Sequence, residues 1–474
     1  MVVHLMTEKR FSAEIKTTKT NKCLKMLEID FQKSYNDLVR KITRSFFMQR
    51  EERIILHSDL NNFYATCECL LHPELQGKPV VVCGKVENRH GVVLAKNNIA
   101  KQAGIKTGMT LYEARTILSD IVAVEAHHSL YYEYSKRVKQ IYLEYTDKVE
   151  SFGIDEAWLD VSESQNFFES AEQLAYQIKE RIKTEIGLTV SIGVSFNKIF
   201  AKLGSDMKKP DAVTVITRDN FKEKIWKLPA CEMLMVGKSL KNKLYELGIE
   251  TIGDLANFDL KFLKAKFGKW GETLWNYANG RDVSVVKKFG EQEEIKSVGN
   301  SLTYYRDLKT SKEVEPLLFM LAESVATRMR AYGVGMARTV RLYVVDNDMQ
   351  SFVRQAKLLH ASDNSSDIAS GAFALFEKNF DWRTRVRGVG ITATDFVKEE
   401  QLSFDCEQMQ KEKDKSIDVT VDKLRSRFGH NIINRGFVLT DPKLEEMNIN
   451  GANISGTNLD LKSSADLGII DYPI

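Results

Sequence analysis

The chain has 474 residues, 43% hydrophobic and 28% charged, an ordinary globular composition with material for roughly three or four domains. Its net charge of +3 is too small to announce a polyanionic partner, so any nucleic-acid case rests on where the basic residues cluster. No apolar run is long enough to span a membrane, no signal-peptide core opens the chain, and the six cysteines (Cys23, Cys67, Cys69, Cys83, Cys231, Cys406) lack a metal-ligand spacing, so the expectation is a cytoplasmic protein with reduced thiols.

In chain order, residues 1–50 form a Lys- and Thr-rich extension, weakly helical from Leu27 to Phe47. A translation start at Met48 would remove it; a functional arm is the other reading. The first strand is expected at Arg53–His57, where Ile54-Ile55-Leu56 leads into Ser58-Asp59-Leu60-Asn61-Asn62-Phe63-Tyr64-Ala65. An apolar run followed directly by an acid and a polar turn reads as a buried strand ending at a site. Pro79–Val82 and Gly91–Leu94 are further strands, the latter followed by a basic helix start near Lys96–Lys101. A helix with one apolar face is expected over 130–147. Val149–Val161 places strand material on both sides of the acidic turn Gly153-Ile154-Asp155-Glu156, a hairpin pattern. The helix Ala171–Ile186 and strand Leu188–Val194 complete an α/β unit. Residues 231–285 are short, basic and helical, and a second α/β stretch covers Lys296–Phe396, with strands near Thr339–Val345 and Gly388–Thr394. A basic helix, Val421–Phe428, precedes an Asn-, Ser- and Gly-rich end expected to be disordered.

An acid at one strand end and an Asp-Glu pair in a neighbouring hairpin turn can bring three carboxylates within a few ångströms of one point. Their repulsion makes this costly unless a cation neutralises it. Hard oxygen donors favour Mg²⁺, and two such ions about 3.5–4 Å apart activate an attacking hydroxyl and stabilise a leaving pyrophosphate. An isolated Asp-Glu in a turn is more often a solvated hairpin tip; here Asp59, Asp155 and Glu156 adjoin apolar strands, which favours the functional reading.

Ser58–Ala65 and Gly153–Asp160 resemble the two catalytic signatures of the Y-family (translesion) DNA polymerases, the group that includes DNA polymerase IV and UmuC-type proteins. A third match runs from Gly193-Val194-Ser195-Phe196-Asn197-Lys198 through Ala201-Lys202 to Lys208-Lys209-Pro210. The resemblance implies an α/β chain with an α+β palm, a right-hand polymerase divided into an extension (1–50), palm (51–68 and 128–216), fingers (69–127), helical thumb (217–286), little finger (294–397) and tail (398–474). It implies that Asp59, Asp155 and the backbone carbonyl of Leu60 bind two Mg²⁺ ions, with Glu156 completing the site near the primer 3′ hydroxyl. Tyr64 falls at the steric gate, a ring packed under the incoming sugar that leaves no room for a 2′ hydroxyl. Phe63, Asn98, Lys101 and Lys209 fall among the nucleotide-binding positions. Asn98 and Lys101 stand where many members carry Tyr and Arg, and Lys lacks the bidentate fork of Arg.

Primer-template DNA and deoxynucleoside triphosphates are the partners this implies, for a monomer working without proofreading. Residues 236–254 resemble a helix-hairpin-helix, with Met235-Val236-Gly237-Lys238 where Gly-Ile-Gly is usual, and Lys238 and Lys241 are candidate phosphate contacts. Arg338 and Arg341 on one strand, and Arg383, Arg385 and Arg387 approaching another, are each expected to share a face along the DNA backbone. Gln401-Leu402-Ser403-Phe404-Asp405 resembles a sliding-clamp peptide, with Leu402 and Phe404 as anchors and Gln401 as a hydrogen-bonding group. Two other readings stay open: a UmuC-type mutagenesis subunit needing a partner, and a non-catalytic DNA-binding scaffold.

Overall fold

The structure is a computed structural model that describes residues 53–84, 91–291, 294–398, 406–429, 432–436, 438 and 444. The 1–50 extension, the clamp-like peptide at 401–405 and the polar C-terminal end lie outside the described residues.

The first signature folds as β1 (Ile55–Leu60), every residue of which is buried, running into α1 (Phe63–Leu71) through Asn62 at φ 49°. Two further strands, β2 (Val80–Cys83) and β3 (Val93–Lys96), with α2 (Asn98–Gln102), α3 (Leu111–Ile117) and β4 (Val122–Glu125), make a small three-stranded unit ordered β3-β2-β4. Thr110 and Glu113 close a reciprocal capping box on α3, which satisfies two of its free N–H groups. Next come α4 (His128–Leu143) and the hairpin β5 (Val149–Phe152) and β6 (Glu156–Asp160). They are followed by α5 (Ala171–Ile186), β7 (Val190–Ser195), α6 (Lys198–Met207) and β8 (Val213–Val215).

β1 is the centre of the main sheet, whose order is β5-β6-β1-β7-β8. Strand alternation sorts its side chains between two layers. Leu56 and Leu60 join the core with Ile141, Ile178 and Ile182 of α4 and α5, while Ile55 packs with Trp158 and Ala201 on the α6 side. Gly193 fixes the approach of α6: a Cβ there would stand 1.9 Å from the Ala201 carbonyl oxygen, so only glycine lets the helix sit this close to β7.

A helical segment follows: α7 (Phe221–Ile225), α8 (Lys238–Tyr245), α9 (Ile252–Asn257), α10 (Leu260–Phe267) and α11 (Lys269–Ala278). Its core residues Leu244, Ile252, Leu263 and Leu274 share a cluster with Phe196, Phe200 and Leu203. The last unit is an antiparallel sheet of β9 (Ser297–Leu308), β10 (Met336–Asp346), β11 (Ser351–Ser362) and β12 (Val386–Val397), ordered β11-β10-β12-β9. Helices α12 (Ser311–Tyr332) and α13 (Ser365–Asn379) supply the other half of its core. The basic helix expected at Val421–Phe428 is the end of a longer one, α14 (Cys406–Phe428), pinned to this unit by Asp422 on Arg330 at 2.7 Å and Arg425 on Glu323 at 3.3 Å.

Candidate active site

The alternation that buries Leu56 and Leu60 turns Asp59 the other way, toward α6. In the β1–β6 register Asp59 pairs with Glu156 and His57 with Trp158, so both acids leave the sheet on the same face. The Leu60 N–H donates to the Asp155 carbonyl at 3.1 Å, tying the end of β1 to the hairpin turn that carries the third acid.

Two lysines meet these acids. Lys209 Nζ lies 2.6 Å from Asp59 and 2.8 Å from Asp206, and Lys202 Nζ lies 2.7 Å from Glu156. Asn61 sets the Lys209 loop: its side-chain carbonyl accepts from the Asp211 N–H at 2.8 Å and its amide donates to Ser191 at 2.9 Å. Burial and the Glu156 charge push the Asp59 carboxyl up despite Lys209. Burial, then Glu156 and Asp59, push Asp155 up to about 7. Asp206 is held low, because Lys202 and Lys209 outweigh its burial. Behind Glu156, the fully buried His57 places Nε2 3.3 Å from the carboxylate, and burial followed by the Lys202 charge holds its pKa well below 6.5.

Lys139 of α4 lies under the hairpin. Its ammonium is buried with no hydrogen-bond partner among the described residues, and burial lowers it to about 8, partly offset by the charge of Asp155. Sequence reasoning quoted Lys202 inside a motif without a role and missed His57, Asn61, Lys139 and Asp206. These residues sit on β1, the turn after it, α4 and α6, and only the folded sheet brings them together.

Burial, with the neighbouring carboxylate charges added to it, raises Asp59 and Asp155 despite the lysines, and a set of carboxylate oxygens suits a hard divalent cation. The residues therefore fit a metal. Their present side-chain positions differ from the expected convergence on one point: among the described residues no three acidic, His or Cys side chains gather as one ligand set, and Asp59 and Glu156 lie against lysines.

Beside the acids, the Tyr64 ring stacks on Tyr131 at 4.1 Å and 14°, with the buried Phe63 ring 5.6 Å away. Burial, then the Asp155 charge, push the Tyr64 hydroxyl up to about 12. Asn98 opens α2 and accepts a hydrogen bond from Asn62 at 2.9 Å, linking the small sheet unit to the turn after β1. Lys101 is exposed in the last turn of α2, and its charge adds to burial in lowering Lys96.

The candidate DNA contacts lie elsewhere. Lys238 and Lys241 are on α8, which opens at Gly237. Met235, where the usual motif has glycine, takes the left-handed conformation (φ 68°) that glycine adopts freely. Arg338 and Arg341 are both exposed, but not through simple alternation. They are three residues apart, which would put them on opposite faces of a regular strand, and the β10–β11 register shifts beside Arg338, between Ala337 and Thr339, with the extra residues on β11. Arg383 and Arg385 precede β12, and Arg387 falls at an irregularity between Val386 and Gly388, so alternation does not set that group either. Gln401, Leu402 and Phe404 are outside the described residues.

Comparison with known proteins bears on this geometry. A family model described as the impB/mucB/samB family matches residues 58–206, its C-terminal domain matches 295–406, and a DNA polymerase-iota thumb domain model matches 235–282. DNA polymerase IV of Acetivibrio thermocellus is 50% identical over 399 residues, covering 84% of this chain and 100% of the relative. DNA polymerase IV of Moorella thermoacetica is 37% identical over 392 residues, covering 81% and 96%. Among solved structures, a Y-family DNA polymerase chimera, Dbh-Dpo4(243-245)-Dbh, matches with a TM-score of 0.64 at 27% identity, covering 73% of this chain and 100% of that one. The insertion ternary complex of Dbh DNA polymerase matches at 0.52 and 25% identity, with coverage of 73% and 100%.

The chain belongs to the Y-family DNA polymerases, within the impB/mucB/samB family. It is a DNA-directed DNA polymerase of the low-fidelity, translesion kind, with mixed helices and sheets in a palm, fingers, thumb and little-finger architecture.

Proposed function

We propose that Asp59, Asp155 and Glu156 carry nucleotidyl transfer onto a primer 3′ hydroxyl, one deoxynucleotide at a time and without proofreading. The observation that supports this most is the Asp59–Glu156 register pair, held at a sheet end with Lys202 and Lys209 against it. Asp59, Asp155 and the Leu60 carbonyl would hold two Mg²⁺ ions, with Glu156 beside the primer end. When bound, such ions supply Lewis-acid activation of the hydroxyl and charge neutralisation on the leaving pyrophosphate.

The chain's own groups do the positioning. Lys209, an ammonium facing Asp59, meets the triphosphate as a point charge. Asn98 and Lys101 approach the triphosphate from the fingers (69–127), with Phe63 lining the nucleotide site. Tyr64 acts as the steric gate, its ring set by the stack on Tyr131. The palm is 51–68 and 128–216, the thumb 217–286 and the little finger 294–397. Lys238, Lys241, Arg338, Arg341, Arg383, Arg385 and Arg387 follow the primer-template backbone without reading sequence. The insertion ternary complex solved for Dbh DNA polymerase supports DNA and nucleotide as partners. In the tail, Gln401, Leu402 and Phe404 dock on a sliding clamp, which raises effective concentration at the primer end for a monomeric cytoplasmic enzyme.

The test is metal-dependent primer extension on undamaged and abasic templates, with and without the host's clamp. Extension on both templates, stimulated by the clamp, is the expected result. DNA binding with no extension under any metal would instead indicate a scaffold, and extension only with an added protein would indicate a partner-dependent subunit.

A further inference from the structure

Glu68 carries a carboxylate in the core that the chemistry above does not use. It sits one helical turn after Tyr64 on α1, is fully buried, and among the described residues is met by a tyrosine and a histidine with no lysine or arginine. The Tyr131 hydroxyl donates to it, and His127 Nδ1 lies 3.0 Å away. The same Tyr131 hydroxyl accepts from the His127 N–H at 3.1 Å, so the phenol oxygen is held from two sides. Tyr131 is itself fully buried, and its ring is the one stacked on Tyr64. His128 closes the cluster, with its ring edge-on to Tyr64 and to Tyr131 at 5.8 Å each.

A phenylalanine at position 131 would stack equally well and would need no buried acid. Burying a carboxylate costs stability unless it gains geometry in return. What the hydroxyl adds is a fixed in-plane position for the ring, and hence for the ring of Tyr64 lying on it. We infer that Glu68 is a positioning residue for sugar discrimination, acting through Tyr131 to hold the Tyr64 ring where a 2′ hydroxyl would clash. This rests on the reading of Tyr64 as the steric gate.

The experiment is single-nucleotide incorporation by the full chain, comparing kcat/KM for one deoxyribonucleoside triphosphate with that for its ribonucleotide. Glu68→Leu and Tyr131→Phe each lower that ratio by about tenfold, chiefly by admitting the ribonucleotide. Glu68→Gln keeps an oxygen acceptor and restores selectivity. Tyr64→Ala loses selectivity outright, and adding Glu68→Leu to it changes nothing further, since both act through one ring. Because Glu68→Leu also leaves the buried Tyr131 hydroxyl without its acceptor, the ratio separates this role from a merely structural one: a general loss of stability lowers incorporation of both nucleotides together, whereas here the ribonucleotide gains. If Glu68→Leu fails to fold, Tyr131→Phe, which removes a single oxygen, decides. Unchanged selectivity in Tyr131→Phe and Glu68→Leu beside a defective Tyr64→Ala overturns the inference and leaves the gate standing. Full selectivity in Tyr64→Ala overturns the gate and this inference together.

Discussion

Asp59 and Glu156 stand opposite one another across the β1–β6 pair, and each is met by a different lysine, Lys209 at 2.6 Å and Lys202 at 2.7 Å. Adjacent acids on one strand pair repel, and this pair is held together by cations arriving from outside the sheet. The lysines are thus part of the electrostatics of the site, alongside any metal.

On the proposed function, Lys209 exchanges a carboxylate for a phosphate. Lys209→Met should raise KM for the incoming nucleotide by about tenfold with a smaller effect on kcat, the pattern of a lost binding contact. Lys209→Arg should retain part of the affinity. Steady-state incorporation across a nucleotide titration checks this; an unchanged KM in Lys209→Met would remove the residue from the nucleotide site.

Lys139 predicts a pH dependence of stability. Its folded pKa of about 8 lies below its ordinary value of 10.5, so between these two values the unfolded chain keeps a proton that the folded chain has released. Stability from this group therefore rises with pH across that window, and the burial cost is carried in full below it. Lys139→Met should raise the melting temperature at pH 7 by about 3 °C and flatten the rise between pH 8 and 10. Thermal melts of both proteins over pH 6–10 measure it.

Met235 holds the left-handed conformation at the entrance to α8. A side chain there costs about 1 kcal/mol relative to glycine. Met235→Gly should raise the melting temperature by about 2 °C and leave DNA affinity intact, because the turn amides keep their positions. A loss of stability would show that the Met235 side chain supports the thumb.

Arg341 and Lys238 are expected to contribute sequence-independent contacts. Arg341→Ala and Lys238→Ala should each weaken primer-template binding equally on unrelated sequences and reduce the slope of log affinity against log salt by about 1. Fluorescence anisotropy across a salt series tests both substitutions.

The acidic end of the sheet was legible because it is local. An apolar run ending at Asp59 and a hairpin turn at Asp155-Glu156 declare themselves within a few residues, and strand alternation then fixes which way Asp59 points. What brings Lys202, Asp206 and His57 to the same point is the close seating of α6 on β7 at Gly193, a long-range contact that no window of sequence carries. The little finger was read through two of its four strands. β11 exposes residues on both faces along most of its length, as an edge strand can, so it lacks the period-two signal. Arg338 and Arg341 are both exposed because Thr339 and Val340 between them are both buried, a break in alternation beside the β10–β11 register shift that period-two reasoning cannot foresee.

Whether the three acids perform the transfer is decided by single-turnover extension of a primed template by Asp155→Asn at saturating nucleotide and Mg²⁺, with duplex affinity measured on the same protein. The amide keeps the size of the side chain and removes its charge. Loss of that charge should reduce the rate by at least about a hundredfold with DNA affinity unchanged. Extension at the rate of the unsubstituted protein would contradict it.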